Sequence, residues 1–215
     1  MKNRVRSLAL VAICLLATAS FLGGCAKTGM QRSVKASNSI EEVDSAMRKM
    51  VTQIDTTAAS LDAVVSPGQP DLKKAFKTYS DNVDDLEKSG GKVLKYMGEM
   101  KVNTKEYFSE WQKGGDTYTN PRLHELSEER RNKLADIYAQ VPAANEGVQE
   151  SYMDYMTDLK EIQMYLSNDL TPSGVSSVTP IAQKSVRELD DLKASLRPVI
   201  YALDEIKAEL YSGGK

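Results

Sequence analysis

The chain has 215 residues, 41% of them hydrophobic and 27% charged, enough for one substantial core and too few for several independent domains. Its 28 Lys and Arg stand against 30 Asp and Glu, so the net charge of -2 offers no basic field to gather nucleic acid. Two cysteines and a single histidine, His124, leave almost no inventory for zinc sites, Cys/His nucleophile pairs or histidine proton relays.

Residues 1–24 carry Lys2, Arg4 and Arg6 and then run uncharged from Ser7 to Phe21. A basic segment followed by a short apolar one predicts a secretory signal, and the apolar part is too short for a membrane span. It meets Leu22-Gly23-Gly24-Cys25, which resembles the bacterial lipobox: small residues admit the peptidase, and the cysteine thiol takes a diacylglycerol before becoming the mature N-terminus. Cys25 is therefore the expected lipidation site. Cleavage there would remove Cys14 and leave 191 residues with 25 basic against 30 acidic side chains, a net charge of -5 and no free thiol. A mildly acidic body does not cling to anionic headgroups, so membrane attachment would rest on the acyl chains. Ala26 stands where the sorting rule of enteric bacteria reads Asp as inner-membrane retention. The expected location is thus the outer membrane, facing the periplasm.

Residues 25–38 are small and polar and read as a tether. Ser39-Ile-Glu-Glu42 has the form of a capping box and opens a helix expected over 39–65. Ile40, Val43, Met47, Met50, Ile54, Thr57, Leu61 and Val64 then alternate spacings of three and four, the signature of an amphipathic helix with a coiled-coil-like seam. Ser66-Pro-Gly-Gln-Pro70 ends it, and Asp71 opens the second helix, expected over 71–112. Its seam runs through Leu72, Phe76, Tyr79, Val83, Leu86, Gly90, Val93, Met97, Met100, Thr104, Tyr107 and Trp111. Gly90 on that seam either bends the helix or lets a neighbour approach closely.

Asn120-Pro121 starts a third helix, expected over 121–167, with seam residues from Leu123 and Leu126 through Leu134, Ile137 and Val141 to Leu166. Pro142 inside it should kink or divide it. Two Thr-Pro pairs, at 171–172 and 179–180, offer starts for the last helix, expected over 180–211, with Pro198 in its middle. Four seams joined by short connections predict an all-α fold, an elongated antiparallel four-helix bundle, with an intermolecular coiled coil as the competing arrangement. A monomer is favoured over an oligomer.

The acidic run Asp81, Asp84, Asp85 and Glu87 lacks the order of oxygen ligands of an EF-hand and reads as solvated helix face. No nucleotide loop, GxSxG or HExxH is present, so neither enzymatic activity nor a cofactor is expected. Recognition residues favour turns at the end of a rigid scaffold, which places the candidate contact region between Tyr107 and Arg131. Within it Trp111, Tyr118, Arg130 and Arg131 are the candidate interaction residues, toward an unknown envelope protein. Trp111 has a second reading, as a staple of the bundle end.

Glu106-Tyr-Phe-Ser-Glu-Trp-Gln112, the segment from Tyr118 to Arg131, and Tyr138 together resemble an uncharacterised bacterial family of helical secreted proteins and lipoproteins, catalogued as a domain of unknown function. A Phe-x-x-x-Trp element ends one long helix there, here Tyr107-Phe108 and Trp111, and a Tyr/Ser-Asn-x-x-Leu turn begins the next. The likeness spans about residues 40 to 206 and is specific around 106 to 138. Asn145-Glu-Gly-Val and the prolines at 172 and 180 depart from it. What the resemblance implies is a helical fold and a secreted location. It brings no activity, cofactor or catalytic residue.

Overall fold

Five helices follow one another in the computed structural model, which describes residues 25–211: α1 (Cys25–Val65), α2 (Leu72–Gly115), α3 (Pro121–Ala144), α4 (Val148–Asn168) and α5 (Pro172–Tyr211). Among the described residues there is no strand, and no helix is long and apolar enough to cross a membrane. The expected signal segment 1–24 lies outside the described residues, as does the side chain of Cys25.

The heptad reading translates directly into burial. All eight seam residues of α1, from Ile40 to Val64, are buried, and so are Tyr79, Val83, Leu86, Val93 and Met100 of α2. α1 packs against α2 and α5, while α3 and α4 each pack against α2 and α5 and not against α1. The arrangement is a four-rod bundle in which α3 and α4 together form the third rod and lie diagonal to α1. Apart from the first turns of α3, the seams find their partners within one chain.

Antiparallel register is fixed by bonds between rods. Tyr79 Oη donates to the Leu159 carbonyl at 2.6 Å, Tyr152 Oη to the Leu86 carbonyl at 3.1 Å, and Trp111 Nε1 to Ser127 Oγ at 2.9 Å. The paired residue numbers add to the same total in all three, so α3 and α4 keep one register against α2 across the break between them. On the other side, Arg48 and Lys207 bridge Asp44 and Asp204 between α1 and α5, with contacts of 2.8–2.9 Å.

Three expected boundaries are corrected. The supposed tether 25–38 is helical and continuous with the rest of α1. Ser39 is not a cap there: its hydroxyl donates to the Ala36 carbonyl at 2.7 Å, and both residues are about 1% exposed. Small side chains made this turn of helix look like linker, although Arg32 and Lys35 pair with Glu110 and Glu106 of α2. The third helix is divided. Pro142 lies two residues before the end of α3, and Gly147, at φ 81°, turns the chain back into α4 through the left-handed region that glycine adopts without steric cost.

The last helix begins at the first Thr-Pro pair, not the second. Thr171 Oγ1 accepts from Gly174 N at 3.1 Å, capping a helix whose first position is Pro172, and Pro180 is carried inside it. Burial of Val178 and Ala182 holds this first stretch against the core.

Candidate interaction site

The region expected to contact a partner lies at the end of the bundle where α1 begins, α2 turns into α3, and α5 ends. Tyr107, Phe108 and Trp111 on α2 form an aromatic cluster with ring centroids 5.3–6.5 Å apart, and Phe108 meets Tyr138 of α3 edge-on at 5.3 Å. The indole of Trp111 is half-buried and bonded to Ser127. It joins α2 to α3, as the staple reading holds.

Asn120 Oδ1 accepts from Arg122 N and caps α3, with Pro121 at its first position. Arg130 occupies a seam position of α3, where it bonds the Glu209 carboxylate and, at 3.3 Å, the Glu209 carbonyl. Lys133 reaches the same carboxylate at 3.0 Å. These two cations, Lys133 foremost, hold the Glu209 carboxyl below its ordinary pKa. Arg131 is half-buried with only a 4.0 Å approach to Glu128. Glu110 is likewise held below its ordinary pKa, chiefly by a bond from Lys113 and also by Arg32 of α1.

The four candidates therefore separate. Trp111 and Arg130 are spent on holding helices together, Arg131 is partly covered, and Tyr118 stays open at 47% exposure. Leu123 and Leu126, expected on the buried seam, are exposed at 52% and 44%. One signal in the sequence marks them: the seam jumps eight residues from Leu126 to Leu134, with Arg130 between. A groove of about 470 Å³ runs between Gly29 and Met30 of α1 and Tyr107, Trp111 and Tyr118.

Sequence comparison decides the family. Residues 22–209 match the family described as "Protein of unknown function (DUF2959)". The chain belongs to the DUF2959 family. No curated protein and no solved structure matches it. The match takes in all of α1 to α4 and α5 as far as Glu209, so the DUF2959 unit coincides with the bundle.

Asp81, Asp85 and Glu87 pair with Lys77, Lys88 and Lys160, in keeping with a solvated helix face. His124 is half-buried, with its Nδ1 4.0 Å from Glu128. No cluster of three or more metal-ligating side chains occurs among the described residues.

Proposed function

We propose that this chain is a non-enzymatic, lipid-anchored helical post of the bacterial envelope, acylated at Cys25 and held to the outer membrane on its periplasmic side. It acts as a structural or protein-interaction element there. The observation that carries this reading is the Leu22-Gly23-Gly24-Cys25 motif running straight into α1, a 41-residue helix about 60 Å long. With no linker between anchor and bundle, the post has a defined foot and a far end, formed by the α1–α2 and α4–α5 turns, tens of ångströms away.

A carrier of an apolar ligand inside the bundle has less support. The space enclosed by Met47, Met50, Met97 and Tyr152 is about 20 Å³, room for a water and not for an acyl chain.

Labelled fatty acid supplied to cells should enter the wild-type protein and not the Cys25→Ser variant, which mild washing should release from membranes. Label in the Cys25→Ser protein would refute the anchor. In-cell crosslinking with mass spectrometry then identifies the partner, and absence of any envelope protein among the products would refute the interaction role.

A further inference from the structure

We propose that the foot of the bundle, the α2–α3 turn with the first two turns of α3, lies in the headgroup layer of the bilayer, with Tyr118, Leu123 and Leu126 as its contact residues. This rests on the reading of Cys25 as the acylated residue and says what the protein does beside that anchor.

Register places the turn. α1 and α2 run antiparallel, with Arg32 3.5 Å from Glu110, and the groove against the turn is lined by Gly29 and Met30. At 1.5 Å per helical residue, Gly29 is about 6 Å along the axis from Cys25. The segment 116–120 continues α2 past Glu110 toward that same level. A lipid attached at Cys25 would therefore hold Tyr118 at the membrane surface, and the helical course of 25–38 removes the slack that a tether would have given.

The uncovered apolar side chains are in the right place. Along α3 the seam is buried at Leu134, Ile137 and Val141, yet Leu123 and Leu126 on the same stripe stand open. Arg130 meets Glu209 in the last described turn of α5, so the turns of α3 ahead of Arg130 lie beyond the described part of that helix. Met30, 76% exposed, adds to the patch from α1. An amphipathic tyrosine beside two leucines suits the boundary between headgroups and acyl chains.

Charge selects the surface. Lys113 and Arg122 at this end are paired with Glu110 and Glu125, and Glu128 and Glu129 lie nearby. Such a foot is not drawn to anionic lipid, so the partner is a zwitterionic phospholipid surface and the contact should be insensitive to salt. Three side chains bind weakly on their own. The anchor supplies the effective concentration that makes the contact.

The test uses the acylated protein purified from membranes and reconstituted into phosphatidylcholine vesicles. Leu123→Cys carries an environment-sensitive fluorophore, and Met164→Cys, exposed far from the foot, serves as the control. Brominated phosphatidylcholine should quench the Leu123→Cys label several-fold more than the Met164→Cys label, equally at low and high salt. The mass of the same preparation reports acylation. An acylated protein whose two labels quench alike overturns the foot contact alone, whereas an unacylated Cys25 overturns both readings. A Leu123→Cys label shielded from water in detergent-free Cys25→Ser protein would show a second copy of the chain on this surface, and also overturns the proposal.

Discussion

Tyr152 occupies the space where Gly90 lacks a side chain. A Cβ built on Gly90 would stand 2.1 Å from the Tyr152 hydroxyl oxygen, and that hydroxyl donates to the carbonyl of Leu86, one turn earlier on α2. Of the two roles open to a seam glycine, close approach is the one realised. Gly90→Ala would expel the phenol and break its bond, an overpacking cost of about 1–3 kcal/mol that exceeds the ~1 kcal/mol gained in helix propensity. Gly91 is exposed, with nothing within 4 Å of its missing Cβ. Gly91→Ala should therefore raise stability by about 0.5–1 kcal/mol. Urea unfolding followed by circular dichroism should move the two midpoints in opposite directions.

A second contrast lies between two buried phenols. Tyr79 is fully buried and bonded to the Leu159 carbonyl, whereas the Tyr155 hydroxyl is buried with no hydrogen-bond partner. Tyr79→Phe should cost about 1 kcal/mol, and Tyr155→Phe should be neutral or stabilising, because it removes a desolvated group that gains nothing. Burial raises the pKa of both, and of Tyr152 to about 12. The sign follows. Below the ordinary tyrosine value of about 10 their contribution is intact, and it erodes as pH rises from there toward the folded values. A thermal melt at pH 11 should lie below that at pH 9, and Tyr155→Phe should narrow the gap.

Acid should loosen the α1–α5 contact. Asp204 is held below its ordinary pKa by the Lys207 bond first and by Arg48 second. A carboxylate with a depressed folded pKa stabilises the fold above its unfolded value of about 4, and that contribution disappears as pH falls through the folded value. The melting temperature should drop below about pH 4, less steeply in Asp204→Asn. An identical acid slope in wild type and variant would show that this network does not contribute.

Legibility in the sequence followed the chemistry of the side chains. Ile40 to Val64 and most of the α2 seam were readable because large apolar residues at spacings of three and four leave no other economical solution. Residues 25–38 were not, since Ala36 there, like Ser39 just after it, is buried by being small, and a hydrophobic stripe does not register small residues. A tyrosine on a helix seam commonly keeps its hydroxyl in water. Tyr79 and Tyr152 instead turn inward to carbonyls of the neighbouring rod, a choice set by register between helices far apart in sequence. Leu123 and Leu126 carry the right spacing but lie past the described part of α5, which periodicity within one helix does not reveal.

The region from Tyr107 to Arg131 divides into bonds that hold the foot together and groups that remain free, and mutation should separate them. Trp111→Ala removes the bond to Ser127 and the stacking on Phe108, and for a half-buried indole the expected cost is about 2 kcal/mol. If Arg130 and Arg131 were free contact residues, reversing both would leave stability alone. With Arg130 bonded to Glu209, Arg130→Glu sets two carboxylates face to face at the end of α5 and should lower the melting temperature. Arg131→Glu should lower it less, because no close ion pair is lost, although the new carboxylate would be partly covered and near Glu128. The triple variant Arg130→Glu, Lys133→Glu, Glu209→Arg reverses both cations and the carboxylate together and should recover the melting temperature. Failure of that rescue would mean that Arg130 matters through the packing of its stem and not through its charge.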